Sequence, residues 1–225
     1  MVRLGRRAKY LLGTLSSGDT LLMHLGMTGS FRVERGRDVL ANADLHDHVV
    51  FHMASGATVT FNDPRRFGDM DLLSPERLAD HPTLSTLGPE PLSAAFDAAA
   101  LARACRRKRT PLKAALLDQR VVAGLGNIYV VEALHIARLS PQRPASTIAT
   151  SSGKPKPAAV RLAAAIKQVL EEAIKRASLK AQYRSDRFRV YGRAGEPCGH
   201  ARCAGVITQL TQAGRTTYYC PVCQR

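Results

Sequence analysis

Hydrophobic and polar positions change period along this chain. Within residues 8–73, short runs rich in β-branched and aromatic residues at 20–25, 47–53, 58–61 and 69–73 are separated by Gly, Asn, Asp or Ser. This pattern predicts strands, with Ala54-Ser55-Gly56 as a hairpin turn. Such a set makes half of a β-sandwich or barrel. Residues 74–100 contain Pro75, Pro82, Pro89 and Pro91, and proline at that density ends strands and helices alike, so a domain boundary is expected near Leu87-Gly88-Pro89. Beyond it the apolar spacing lengthens to three and four. Helices are predicted over 98–107, over 116–135 with an interruption, and over 158–176, where Val160, Ala164, Val169 and Ala173 are inward candidates. The Pro-, Ser- and Lys-rich stretch 140–157 reads as a surface linker, and there are no internal repeats.

The interruption within 116–135 organises the chain. Val122-Ala123-Gly124-Leu125-Gly126-Asn127 places two glycines where a tight reversal excludes a β-carbon, giving a helix, a double turn and a second helix. Asn127 stands where it could cap the second helix, leaving the uncovered amides of the first turn to face an anion such as a phosphate, with Lys113 just upstream. A plain helical hairpin with packing glycines would look the same on this stretch alone.

Two loops among the strands, HLGMTGS at 24–30 and DPRRFG at 63–68 after Asn62, each offer one large apolar side chain among glycines and polar residues. Proteins that extrude a base from a duplex fill the hole with such a side chain, often beside an arginine, so Met27 and Phe67 are wedge candidates. The alternative is that both are core residues.

Charge narrows the partner. The 225 residues carry a formal net charge of +15, which favours a polyanion but does not by itself separate nucleic acid from acidic lipid. Residues 103–120 hold seven basic side chains against Asp118 alone, and residues 176–225 hold nine against Asp186 and Glu196. No apolar run approaches the roughly 20 residues of a membrane span, and the basic start before Tyr10-Leu11-Leu12 is too short for a signal peptide. A soluble, cytoplasmic protein is expected.

The last 30 residues carry the sharpest chemistry. Cys198 and Cys203, then Cys220 and Cys223, form two pairs separated by 16 residues, a distance suited to a β-hairpin turning at Gln212-Ala213-Gly214. Four thiolates at that spacing predict one structural zinc ion, and so short a segment needs the metal to fold. His200 is a rival ligand, and a set of three cysteines with one histidine, or disulfides, are the alternatives. Cys105 is expected to be a small buried apolar residue.

Seven motifs then occur in order: Arg6-Arg7-Ala8-Lys9-Tyr10-Leu11-Leu12, HLGMTGS, DPRRFG, Leu87-Gly88-Pro89-Glu90-Pro91-Leu92, GLGNIYVVEALH, Val190-Tyr191-Gly192-Arg193 and the cysteine pairs. In this order the chain resembles the formamidopyrimidine-DNA glycosylase family, DNA glycosylases with abasic-site lyase activity. The resemblance implies an α+β chain: a partial N-terminal β-sandwich over residues 1–87, a helical domain with a helix-two-turn-helix motif over 88–189, and a zinc-finger β-hairpin over 190–225. It implies a monomer acting in base-excision repair on double-stranded DNA with oxidised bases or abasic sites, held across a cleft. Carried over by position, Lys9 moves protons in β-elimination and Arg215 serves δ-elimination and a phosphate. Met27, Arg65 and Phe67 fill the space of the flipped nucleotide, and His24, His46, Lys108, Lys113 and Asn127 hold the backbone.

Two departures qualify the resemblance. The family's nucleophile is an N-terminal proline amine with an adjacent glutamate as acid, whereas this sequence begins Met1-Val2-Arg3 and has no carboxylate before Asp19, so a truncated gene or mis-assigned start is expected. Between Ser178 and Val190 the family's glycine-containing loop over the flipped purine is shortened, which leaves lesion preference open. A catalytically inactive binder of damaged DNA, an endonuclease VIII-like pyrimidine glycosylase and an RNA-binding protein are the competing readings.

Overall fold

A computed structural model describes residues 1–35, 44–178 and 188–225. Contacts divide the chain into two compact units, Met1–Ser85 and Thr86–Arg225. The first unit contains two antiparallel sheets. Strands β1 (Arg3–Arg7), β2 (Tyr10–Thr14), β3 (Thr20–His24) and β7 (Asp69–Leu73) form one in that order, and β4 (Ser30–Arg35), β6 (Ala57–Asn62) and β5 (Asp47–His52) form the other. Leu22, Met23 and Leu73 are buried from the first sheet, and Ala57 and Phe61 from the second. β1, β2 and β4 go beyond the strands read from sequence. β1 is arginine-rich, and β4 alternates Phe31 and Val33 with Arg32 and Glu34, whose charges pair at 3.1 Å, with Arg32 also reaching Asp47 at 3.0 Å. Two short helices, α1 (Pro75–Ala79) and α2 (Pro82–Ser85), close the unit.

The second unit is built on helices α3 (Ala98–Cys105), α4 (Leu112–Leu117), α5 (Asn127–Ile136) and α6 (Pro157–Ser178). Asp97 caps α3 by accepting from the Ala100 amide at 2.7 Å. α5 is buried on nearly every side, from Val130 through His135, as expected of an apolar helix at the centre of a core. Around it pack Phe96, Leu101, Leu116, Leu162 and Ile166, with Cys105 fully enclosed. The inward face of α6 is Ala159, Leu162, Ala163, Ile166 and Val169, whereas Val160, an inward candidate from the sequence, is 54% exposed and Ala164 is also exposed. Val169 faces inward as expected, but in the first half of the alanine-rich helix the stripe lies one position earlier, where Leu162 and Ile166 fix its phase.

The double turn is braced from two sides. Gln119 donates to the carbonyls of Leu117 and Leu125, both at 3.1 Å, and accepts from the Gly124 amide at 2.8 Å, while Gly124 itself has φ +77°. The Leu87-Gly88-Pro89 segment packs against the same turn through Gly88 N–H to Gln119 O at 2.8 Å and Ala123 N–H to Pro89 O at 3.1 Å. Asn127 opens α5 but does not cap it. The N-cap is Gly126, without a side-chain bond, and the Asn127 amide donates instead to Thr216 O at 3.0 Å.

After residue 188 the chain forms a hairpin of β8 (Thr208–Gln212) and β9 (Arg215–Tyr219), turning at Ala213 (φ +48°) and Gly214 (φ +69°). Positive φ at both central residues is the two-residue turn whose twist matches the strands. The hairpin's lead-in is tied to α5 by Glu132, a buried carboxylate accepting the amides of Arg189, Val190 and Tyr191 at 2.8, 2.8 and 3.0 Å.

Candidate nucleic-acid interface and metal centre

In the first unit, the loops after β3 and β6 are locked together at their backbones. Gly26 has φ +61°, and a β-carbon there would lie 2.5 Å from the Phe67 carbonyl carbon, so only glycine fits. Asp63 is fully buried and joins the two loops, accepting from the Thr28 hydroxyl at 2.5 Å and the Gly68 amide at 2.7 Å. The Thr28 bond, against the opposing effect of burial and helped by backbone amides, holds the Asp63 carboxyl below its ordinary value. On this clasp Met27 is 72% and Phe67 56% exposed. Arg65 bridges them, its Nη1 3.2 Å from the Met27 sulfur and its guanidinium carbon 4.5 Å from the Phe67 ring centroid. Two large apolar side chains held in solvent beside an arginine can enter a base stack, and their exposure removes the core alternative.

Near this clasp, on the β2–β3–β7 edge, His24 pairs in register with Tyr10 and Asp69. Burial first, and then the Lys9 cation, lower its pKa, partly offset by Asp69. Lys9 is exposed at the β1–β2 turn. His46 supports the second loop through its carbonyl, which accepts the Asp63 amide at 2.9 Å.

In the second unit, the residues expected at phosphates separate. Lys108 is partly exposed and pairs with Asp118 at 3.5 Å. Lys113 is fully buried, its ammonium bonded to Thr217 Oγ1 at 2.7 Å and to the carbonyls of Thr216 and Arg215 at 3.3 and 3.4 Å. Burial, with Arg215 adding to it, pushes its pKa down to about 8. Lys113 and Asn127 thus hold β9, whose first residue, Arg215, is exposed at the hairpin turn. Sequence spacing does not reveal this, because β9 lies about a hundred residues downstream.

At the base of the hairpin the four cysteine sulfurs lie within 4.8 Å of one another. The Cys198–Cys223 and Cys203–Cys220 separations are both 3.7 Å. A tetrahedral zinc ion with bonds of about 2.3 Å sets its sulfurs about 3.8 Å apart, so the four thiolates fit that ion. A second group of ligand atoms, His135, Cys198, His200 and Cys223, shares one edge with the first. It does not suit one ion. The two imidazoles are stacked 4.0 Å apart and 8° from parallel, and no point near both nitrogens lies in both ring planes, as metal bonds to ring lone pairs require. One ion therefore cannot take both histidines, and the four sulfurs are the set whose spacing fits it.

Two sheets, a braced helix-two-turn-helix and a four-cysteine hairpin define a helix-two-turn-helix zinc-finger protein with an exposed cluster of Met27, Arg65 and Phe67. Residues 1–70 match the family model described as "Formamidopyrimidine-DNA glycosylase N-terminal domain", and residues 87–184 match "Formamidopyrimidine-DNA glycosylase H2TH domain". The chain is 56% identical to the formamidopyrimidine-DNA glycosylase of Rhodopseudomonas palustris strain BisB18, over 99% of this chain and 82% of that protein, and 54% identical to that of Azorhizobium caulinodans, over 98% and 82%. Among solved structures it is similar to the Lactococcus lactis enzyme bound non-covalently to abasic-site DNA, with TM-score 0.84, 32% identity and coverage of 99% and 80%. It is equally similar to MutM in complex with DNA containing carbocyclic 8-oxo-G, with TM-score 0.84, 31% identity and coverage of 99% and 80%. The chain belongs to the formamidopyrimidine-DNA glycosylase family.

Two residues that hold these sites were not singled out from the sequence. Asp63 was visible only as the first letter of DPRRFG, and Glu132 only as a lone charge in an apolar helix, a pattern that does mark a satisfied buried carboxylate. The shortened stretch before Val190, 179–187, lies outside the described residues.

Proposed function

We propose that this chain is a base-excision repair enzyme of the bacterial cytoplasm, a DNA glycosylase and abasic-site lyase that removes oxidised purines such as formamidopyrimidines and 8-oxoguanine as a monomer. The observation that carries the reading is the Met27–Arg65–Phe67 cluster, three side chains from two clasped loops presented together to solvent. When a damaged nucleotide leaves the stack, Met27 and Phe67 refill the gap and Arg65 faces the opposite base. His24, His46 and Lys108 hold the backbone, while Lys113 and Asn127 act on it through β9. Lys9 transfers protons during β-elimination, and Arg215 serves the δ-step and a phosphate. Cys198, Cys203, Cys220 and Cys223 hold one zinc, whose role is to fold the hairpin that carries Arg215. The wedge domain (1–87), helical domain (88–189) and finger (190–225) divide these tasks.

Binding and strand nicking test this directly. Duplexes containing an abasic analogue or 8-oxoguanine are offered to residues 1–225, and to the same chain preceded by a family segment beginning Pro-Glu. Both proteins should prefer the abasic-analogue duplex over intact DNA, and Phe67→Ala or Met27→Ala should erase that preference by about tenfold or more, since unstacking costs a few kcal/mol per step. The extended chain should be trapped on 8-oxoguanine DNA by borohydride and should nick it. Equal affinity for damaged and intact DNA, or no nicking by either protein, would overturn the reading.

A further inference from the structure

Two histidines beside the cysteine cluster have no part in the reading above, although the inference rests on its four-cysteine zinc site. His135 projects from α5 and is 1% exposed, with Nε2 3.4 Å from Cys198 Sγ. His200 lies between the first two cysteines, with Nδ1 3.3 Å from Cys223 Sγ. A ring nitrogen facing a thiolate with its lone pair would be repelled, so the nitrogen at each sulfur must carry the proton. For His135 this leaves Nδ1 as a bare acceptor, and that atom is buried without a hydrogen-bond partner among the described residues. The stacked rings thus bring their N–H groups to both sulfurs of one edge of the tetrahedron. Backbone amides contribute on both edges, Cys198 taking that of His200. On the opposite edge, Cys220 is served by the backbone amides of Val222 and Cys223, as at a turn whose N–H groups face a metal-bound sulfur.

We infer that His135 and His200 are hydrogen-bond donors to the zinc thiolates of Cys198 and Cys223, positioning residues through which α5 of the helix-two-turn-helix shares the negative charge of the finger's metal centre. Four thiolates on one zinc ion leave two excess negative charges in a largely buried site, and such charge is costly unless hydrogen-bonded. One donor comes from the finger itself. The other comes from the helix whose first residue, Asn127, also holds β9. Metal, hairpin and α5 are therefore coupled, and loss of either donor weakens metal retention without removing a ligand.

The test uses the full chain loaded with zinc or cobalt. His135→Phe and His200→Phe keep a ring and remove the donor. His135→Gln and His200→Asn place an amide N–H near the lost Nε2–H and Nδ1–H. Competition with a chromophoric chelator should show each phenylalanine variant binding one zinc with affinity lowered by about 10- to 100-fold, the usual effect of losing a partner of a metal ligand. The amide variants should lie close to the parent. In the cobalt forms, thiolate-to-metal bands should move to lower energy in the phenylalanine variants, because an unbonded thiolate is easier to oxidise, while their intensity stays that of four Co–S bonds. Unchanged affinity and bands in both phenylalanine variants would overturn the inference. So would loss of one Co–S contribution in the parent spectrum together with full metal in Cys203→Ser, which would make His200 a ligand. Cys220→Ser retaining one tightly held zinc would instead refute the four-cysteine site itself. If His135→Phe fails to fold, His200→Phe, on a partly exposed finger residue, decides the matter.

Discussion

Asp63 shows how a single buried carboxylate can govern exposed side chains. Its oxygens tie Thr28 to Gly68, so the loops that carry Met27 and Phe67 share one anchor. Replacing it with asparagine keeps the volume but removes the charge that these donors stabilise, and hydrogen bonds to charged groups are the stronger kind. Asp63→Asn should lower the melting temperature and weaken binding to abasic-analogue DNA by about tenfold, while binding to intact duplex changes less. The pH dependence has a definite sign. The folded-state pKa lies below the unfolded value near 3.9, so above that value the clasp contributes fully, and it is lost as acid takes the pH down through the folded value. Acid titration of the melting temperature should show a loss below about pH 4 that Asp63→Asn largely lacks. At this scale the candidate residues were legible from type and neighbours: an apolar side chain among glycines and beside arginine points outward for a reason. Their anchor was not, because Thr28 and Asp63 are 35 positions apart and nothing local pairs them.

At the scale of elements, the helix-two-turn-helix is held in shape by two glycines that do different work. Gly124 sits at φ +77°, a conformation that costs a residue with a β-carbon roughly 1–2 kcal/mol. Gly88 has no such strain, but a β-carbon there would lie 2.6 Å from the Arg120 carbonyl oxygen, and backbone cannot swing aside as a flexible side chain can. Gly124→Ala should therefore lower the melting temperature by a few degrees, and Gly88→Ala by clearly more, with both variants read by thermal denaturation at fixed zinc. The reverse order would show that the contact of the 87–89 segment with the turn is unimportant. The double turn was readable from Gly124, whereas Gly126 sits at φ −108°, an extended conformation that does not call for glycine; the finger hairpin was readable from its cysteine separation. What the sequence concealed was phase and partnership. In α6, alanines on every side left two possible stripes, and packing against α3 and α5 selects the one through Leu162 and Ile166. Asn127 looked like a cap because helix starts favour asparagine, yet a strand from the far end of the chain takes its amide.

For the molecule as a whole, the charge of +15 overstates what can meet a polyanion. Of the seven basic residues in 103–120, Lys113 is enclosed beneath β9, and Lys108 and Arg120 converge on Asp118, Arg120 at 2.8 Å. Arg103, Arg107 and Arg109 remain exposed in that segment. Each phosphate neutralised by an exposed cation releases counterions, so log K falls with log salt by about 0.9 per contact on duplex DNA. A buried lysine releases none. Arg109→Ala should then flatten the salt dependence by about one unit on damaged and intact duplex alike. Lys113→Met, which removes the ammonium that holds the Arg215 and Thr216 carbonyls, should weaken binding through a misplaced hairpin while leaving the slope unchanged. Affinities measured across a salt series separate the two. A slope lowered by about one unit in Lys113→Met would mean that its ammonium leaves β9 for a phosphate when DNA is bound, and the structural role assigned to it here would be wrong.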